Sequence, residues 1–251
     1  MAESVKVAIV TGGSRGIGRA AALKLGAAGY TVVVNYTSNA AAANEVVKAI
    51  EAKGGKAVAV KGDVSKEADI LALFAAADKL GPLKVLVNNA GVMDQQNRLD
   101  EMSTERIRRI LDINTFGSIL CAREAVKRMS TKHGGTGGSI VNMSSAAAYH
   151  GAPGLGVEYG ASKGAIDVLT IGLGREVAAE GVRVNALRPG IIDTEIHDSS
   201  GIPGRVKMMR DAIPMKREGT ADEVADAIMW LCSEQSSYVT GSIIPVAGGR
   251  C

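Results

Sequence analysis

The sequence predicts one α/β domain in which a doubly wound, parallel, seven-stranded sheet carries helices on both faces. Three observations lead there. A β-branched run, Val5 to Thr11, closes on T-G-G-S-R-G-I-G and passes at once into helical periodicity. Further short apolar runs then alternate with amphipathic segments to the end of the chain. Each of those runs is continuous rather than alternating, as strands buried on both faces must be. No repeat, low-complexity tract or linker divides residues 1–251, so a single domain is expected.

Taken in order, the run at Val5–Thr11 is the first strand, and Ile17, Ala21, Leu25 and Ala28 form the stripe of a helix that ends at Gly29. Strand, glycine turn and helix in direct succession are the setting that binds a dinucleotide. Gly12 permits the sharp turn, Gly16 lets a pyrophosphate approach the backbone, and Gly18 lets helix and strand pack closely; Ser14 and Ile17 complete the candidate contacts. Thr31–Asn35 is the second strand. An NAD site would place an Asp or Glu near its end for the ribose 2′-hydroxyl. Asn35, Tyr36, Thr37 and Ser38 stand there instead, all uncharged, while Arg15 in the glycine turn can pair with a 2′-phosphate. The expected cofactor is therefore NADP(H).

Ala40–Lys53 reads as an amphipathic helix stopped by Gly54-Gly55, and Ala57–Lys61 as the third strand. Ser65 is expected to cap a helix reaching Leu80, with Glu67 and Asp69 in its first turn. Val85–Asn88 is the fourth strand and runs into N-N-A-G. A long helical segment over about 103–130 is interrupted by Asn114 in an apolar setting; a buried asparagine needs partners, as a structural staple or as part of a site. Ile140–Met143 is the fifth strand. It ends in Ser144 and Ser145, followed by a glycine-rich loop without helix. A helix from Tyr159 to near Gly181 then carries Ile166, Leu169, Leu173 and Val177 as its core stripe. Arg183–Leu187 is the sixth strand. Residues 191–217 break the rhythm: Ser199, Ser200, Gly201, Pro203 and Gly204 forbid a continuous helix, Val206–Ala212 forms at most a short one, and the segment is a candidate substrate lid. Asp222–Cys232 is the last helix. Ser242–Val246 is the seventh strand, at an edge because Pro245 has no amide hydrogen to donate.

Tyr159 and Lys163, four residues apart on one helical face, form the chemical core of the reading. An ammonium beside a phenol favours the phenolate and brings its proton exchange toward neutral pH. The hydroxyl of Ser145 converges on the same point from its strand end.

Composition excludes several other functions. Apolar residues at 46% and charged residues at 22% support a sizeable core, while aromatics at 3% and dispersed basic residues with a net charge of +3 argue against nucleic acid. Cys121, Cys232 and Cys251 form no framework, which fits a reducing compartment. His133, His150 and His197 have no metal spacing, so no metal site is expected. No signal peptide precedes the first strand and no apolar run approaches the ~20 residues that cross a bilayer. A cytoplasmic protein without membrane or nucleic-acid partners is expected.

With T-G-G-S-R-G-I-G, N-N-A-G, Asn114, Ser145, Y-G-A-S-K and P-G-I-I-D-T in this order, the chain resembles the short-chain dehydrogenases/reductases (SDR family) from Val5 to Gly249. The resemblance implies a Rossmann-like fold, a homotetramer, and a main dimer interface built by helices 103–130 and 159–180. It implies that Tyr159 is the catalytic acid/base, Lys163 its partner and a ribose ligand, Ser145 (rather than Ser144) the group orienting the substrate oxygen, and Asn114 the holder of a relay water. Asp63 and Val64 match adenine contacts. Asn89, Ala90 and Gly91 match the flank of the adenine ribose, and Pro189, Gly190, Ile192 and Thr194 match the nicotinamide-side loop. Departures are Glu158 directly before the tyrosine, a loop from Ser145 to Tyr159 that is one residue longer than in many family reductases, and A-G-G-R near the end where D-G-G is common. The implied reaction is hydride transfer between NADP(H) and a carbonyl or secondary alcohol. A sugar or polyol dehydrogenase is the alternative, suggested by Gln95, Gln96, Tyr149, His150 and Glu158. A non-catalytic nucleotide sensor on the same fold is a further one. Met93, Asp94, Tyr149, His150, Val157 and the 191–217 segment are the expected specificity determinants.

Overall fold

In the computed structural model, which describes residues 5–154, 156–196 and 204–250, strands and helices alternate along the chain. The first half comprises β1 (Val7–Val10), α1 (Gly16–Ala27), β2 (Thr31–Tyr36), α2 (Ala40–Glu51), β3 (Lys56–Lys61), α3 (Glu67–Asp78) and β4 (Leu83–Asn88). Next come α4 (Thr104–Leu111), α5 (Gly117–Met129), β5 (Gly138–Met143), α6 (Ala147–His150), α7 (Val157–Glu176) and β6 (Val182–Pro189). β7 (Ile192–Asp193), α8 (Arg205–Met208), β8 (Gly219–Thr220), α9 (Ala221–Cys232) and β9 (Ile243–Val246) follow.

Seven strands form one sheet in the order β3-β2-β1-β4-β5-β6-β9, every neighbouring pair parallel. The chain winds outward from β1 to β3 and then, from β4, in the opposite direction. The carboxyl ends of β1 and β4 therefore flank a crevice where the winding reverses, the place where such sheets bind ligands. Successive residues of β1 face opposite sides: Ala8 and Val10 join a core with α1, α2 and α9, whereas Val7 and Ile9 join one with α3 and α5. All four are fully buried, each large one contributing ~1.5–3 kcal/mol. That double burial is why the strand reads as an unbroken apolar run. β9 is an edge strand, where Pro245 opposite Arg188 loses no partner.

Four local expectations change. Ser65 does not cap α3, which begins at Glu67; its hydroxyl and amide instead both donate to Asp63 Oδ1, at 2.7 and 3.0 Å, closing a turn after β3. The segment expected over 103–130 is α4 and α5 joined by a π-turn, Asp112–Phe116, with Asn114 inside it. The extra residue loosens the helical ladder, and Ser118 Oγ donates to the Asn114 carbonyl at 2.9 Å. The loop after Ser145 is not free of helix: α6 occupies Ala147–His150. Finally, α7 buries a polar face of Ser162, Lys163, Asp167 and Thr170 around Ile166 and Gly174, while Leu169 and Leu173 are half-buried. Periodicity of apolar residues misses such a face because its partners are hydrogen bonds.

The segment beyond β6 pairs β7 with β8 in a small parallel ribbon, and α8 gives way to a short 3₁₀ turn at Arg210–Ala212. His197, Ser199, Ser200, Gly201, Pro203 and Cys251 lie outside the described residues. Among the described residues no helix is long and apolar enough to cross a membrane.

Candidate active site

The glycine turn lies at the crevice between β1 and β4. Gly12 and Gly16 adopt φ of +61° and +51°, a left-handed conformation that side chains disfavour. A Cβ at Gly18 would sit 2.4 Å from the Gly12 carbonyl oxygen, so only glycine lets α1 pack this closely on the turn. The first turn of α1 holds no acidic residue, and its N-cap, Arg15, makes no capping bond from its side chain. Among the described residues these amides thus have no side-chain acceptor from their own cap or first turn, and with the helix dipole they suit a phosphate.

Side chains around the turn are spent on holding it. Thr11 Oγ1 accepts from the amides of Asn89 and Ala90, at 3.0 and 2.9 Å. Asn89 Nδ2 returns bonds to the carbonyls of Thr11 and Gly12, at 2.9 and 3.1 Å. Asn35 corrects the expectation: its side chain is buried, accepts from Gly12 N at 3.2 Å and donates to Gly62 O at 2.9 Å. It braces turn, β2 and β3 from inside, so the groups open to a ribose are those beyond it. Tyr36 is half-buried and Thr37 and Ser38 are exposed. Arg15 is exposed, with no hydrogen bond or ion pair from its guanidinium among the described residues. At the end of β3, Asp63 takes part in its own turn, and the Val64 carbonyl lies 2.6 Å from where a Gly117 side chain would begin.

Opposite the turn, β5 ends beside the first turns of α7. Lys163 is buried, and its ammonium donates to the Met143 carbonyl at 2.8 Å while lying 5.8 Å from the centroid of the Tyr159 ring. Burial pulls the lysine down to about 8, with Asp167 one turn on opposing the shift. Ser144 and Ser145 separate cleanly. Ser144 Oγ donates to the Lys163 carbonyl at 3.2 Å and ties strand to helix, whereas Ser145 Oγ only accepts, from Ala147 N at 3.1 Å, leaving its proton for another partner. Asn114 stands behind this group. Its amide exchanges bonds with Val92 N and O, at 2.8 and 2.9 Å, and donates to Ser162 Oγ at 3.1 Å. Ser162 Oγ in turn donates to the Tyr159 carbonyl at 2.7 Å. The staple thus links the N-N-A-G loop to the turn bearing the tyrosine. Gly91 fits between them: a Cβ there would lie 3.3 Å from Lys163 Nζ and 3.4 Å from Asn114 Oδ1.

Comparison with known proteins decides the lineage. A family model described as Enoyl-(Acyl carrier protein) reductase matches residues 12–250. The Escherichia coli "Uncharacterized oxidoreductase YgfF" is 56% identical over 97% of this chain and 99% of its own length. The Bacillus subtilis "Glucose 1-dehydrogenase 2" is 42% identical, over 97% and 94%. The chain belongs to the short-chain dehydrogenases/reductases. A more distant relative, the Arabidopsis thaliana "NADPH-dependent aldehyde reductase-like protein, chloroplastic", is 36% identical over 97% of this chain and 93% of that one.

As a short-chain dehydrogenase/reductase the protein is an oxidoreductase with a nicotinamide dinucleotide cofactor. Its residues fit that group. The glycines leave room where side chains would intrude, the amides of α1 have no side-chain acceptor, and the turn opens into a cleft of about 1030 Å³, mouth included. Ile17, Asn89, Gly91, Ser145, Tyr159, Lys163, Pro189, Gly190, Ile192 and Thr194 line it together, although they are scattered through the sequence. Gly12, Ser14, Arg15, Gly16, Gly18, Tyr36, Asp63, Val64 and Ala90 lie outside its lining, as do the inward-facing Asn35 and Asn114. Of the expected specificity residues, Met93, Asp94, His150 and part of the 191–217 segment line the cleft, and of the polar residues that suggest a sugar or polyol, His150 and Glu158 do. Gln95, Gln96 and Val157 do not, and Tyr149 is 71% exposed. Burial, and after it the nearby Arg250 guanidinium, lower the pKa of His150 from its ordinary value.

Sequence reasoning missed Thr11, Ser162, Arg106 and Arg250, and the buried ladder Asn88–Asn142–Thr170, whose side chains bond at 3.0 Å each. Asn142 carried a signal: an amide in the middle of I-V-N-M has to be satisfied by something at the same depth.

Proposed function

We propose that this short-chain dehydrogenase/reductase is an NADP(H)-dependent carbonyl reductase or alcohol dehydrogenase in which Tyr159 exchanges the proton with the substrate oxygen. One observation carries the reading: Tyr159, Lys163 and Ser145 share a cleft wall at the strand ends, in the cleft that the glycine turn opens into. The amides at the α1 N-terminus would hold the dinucleotide, which would supply or accept the hydride. The protein's own part is electrostatic. As charge grows on the substrate oxygen during reduction, the Tyr159 and Ser145 hydroxyls donate to it, and the phenol then gives up its proton. The Lys163 ammonium, largely protonated at pH 7 with a value of about 8, favours the resulting tyrosinate. Burial makes that charge effective, because little water screens it.

NADP(H) is favoured over NAD(H) because no carboxylate stands at the end of β2 and Arg15 is exposed with its donors unspent; the printed name of the Arabidopsis relative points the same way. A homotetramer is supported by the apolar Phe116, Ile119 and Val168, at 47%, 41% and 71% exposure on the expected interface helices, and a reducing cytoplasm by the free thiols of Cys121 and Cys232. A polyol or sugar substrate is the second reading, supported by Glu158 and His150 in the cleft and by the glucose dehydrogenase relative.

Initial rates with NADPH and NADH across aldehydes, diketones, sugars and acyl thioesters test the assignment. Tyr159→Phe is expected to lose at least about 10³-fold in kcat while binding NADPH within about threefold of the parent. A Phe variant with near-parental turnover rejects the role.

A further inference from the structure

The α4 residue Arg106 reaches across to Glu158, the residue before the candidate catalytic tyrosine. Both of its donors fall on one oxygen: Nε and Nη2 reach Glu158 Oε1 at 3.0 and 2.6 Å. A guanidinium facing a carboxylate ordinarily spreads two bonds over two oxygens. Here Oε2 is left buried with no partner among the described residues, on a side chain only 2% exposed. A buried charged acceptor in that condition is costly and calls for a donor. Oε2 lies 3.6 Å from the point where a side chain at Gly156 would begin, and Gly156, Glu158 and Arg106 all line the cleft. Glycine at 156 keeps a Cβ away from that acceptor. The other acid of this wall, Asp94, is already spent on Arg109 at 2.5 Å and on the Gln95 amide at 2.8 Å.

We infer that Glu158, held by Arg106, is a specificity residue whose Oε2 accepts a hydrogen bond from a substrate hydroxyl other than the reacting one, so that the preferred substrates are hydroxylated carbonyl compounds and the corresponding diols or polyols. The inference rests on the oxidoreductase reading above and narrows it. A site built to accept from a hydroxyl rejects the analogue lacking it far more strongly than an apolar pocket rejects a missing methylene, because the buried acceptor is then left unmade. Arg106 is the positioning residue: it fixes the carboxylate and takes up Oε1, which leaves one oxygen for the ligand.

The test is a set of ketones bearing a hydroxyl one, two or three carbons from the carbonyl, each against the ketone lacking it, with benzoylformate as an anionic probe. The parent enzyme is expected to favour the hydroxyketone in kcat/KM by tenfold or more for at least one spacing. In Glu158→Gln, which puts an amide where the carboxylate stood, and in Glu158→Met, that ratio is expected to collapse toward one, whatever the fall on the plain ketone. Retained NADPH binding shows that the variants are folded. A fall by the same factor on both members of each pair makes the ion pair a mere brace of α7 and overturns the inference, as does a parent without preference at any spacing. Preference for benzoylformate overturns it in favour of anion recognition. If no carbonyl compound is reduced with either dinucleotide, the carbonyl reductase reading itself fails; turnover without hydroxyl selectivity sinks the specificity alone.

Discussion

The two walls of the cleft use polar side chains in opposite ways. On the dinucleotide wall, Thr11, Asn35, Asn89 and Asp63 all bond to the protein's own backbone. They shape a turn whose main-chain amides are left for the ligand. On the opposite wall the Ser145 proton and Glu158 Oε2 have no acceptor or donor among the described residues. One wall recognises through backbone that side chains hold in place, the other through side chains themselves. Residues of the first wall are therefore dictated by the fold. Residues of the second are dictated by the substrate.

Breaking the first wall gives the largest expected effect. Gly18→Ala places a methyl 2.4 Å from the Gly12 carbonyl oxygen and 2.5 Å from Asn89 Nδ2. Neither can withdraw without giving up the bonds of the turn, so α1 must move. A loss of about 3–5 kcal/mol is expected, with at least about 100-fold weaker NADPH binding. Thermal unfolding together with a binding titration measures both. A variant with parental melting and affinity would show that the turn is soft, and the contrast between the walls would fall.

Lys163 stands where the walls meet, and its burial has a pH signature. The unfolded chain holds the lysine proton up to about 10.4, whereas in the fold burial pulls the group to about 8 despite Asp167. Between those values the unfolded state binds more protons, so stability rises with pH there, and below about 8 the fold carries the whole cost. Lys163→Met removes this dependence. In the absence of dinucleotide, the stability of the variant relative to the parent is expected to drop by on the order of 3 kcal/mol as pH rises from 8 to 10.4. Urea denaturation at several pH values reads the difference, in which the remaining titrating groups cancel. A flat difference would mean that water reaches the ammonium.

The same contrast explains what was legible in the sequence. Strand positions, the edge role of Pro245 and the spacing of Tyr159 and Lys163 follow from local pattern, because apolar runs, glycine turns and helical periodicity are properties of neighbours in sequence, whereas Ser145 joins them through the family resemblance. The polar bracing was not legible. Asn35 stands at the distance from the glycine turn where a ribose ligand is expected, yet whether its amide points out or in depends on Gly12 and Gly62, which come from separate segments. The π-turn at Asn114 was hidden for the same reason, since the asparagine is held by Val92 and Ser162 from separate segments. Glu158 was noticed as a departure, but its partner lies 52 residues away on α4.

The smallest effect sharpens the comparison at its one exception. Arg15 is the single residue of the T-G-G-S-R-G-I-G turn with a charged side chain, and it points to solvent. If it reads a 2′-phosphate, recognition on this wall is backbone-borne except for that group. Arg15→Ser is then expected to weaken NADPH about 10- to 30-fold while leaving NADH within about twofold. Exposure adds a second readout. The parent's preference should shrink between 0.05 and 0.5 M salt, because the Debye length falls to a few ångströms, while the variant's preference should barely respond. Parallel losses for both dinucleotides would assign Arg15 to the pyrophosphate or to the turn itself, and the selectivity would have to arise from the uncharged Tyr36, Thr37 and Ser38 alone.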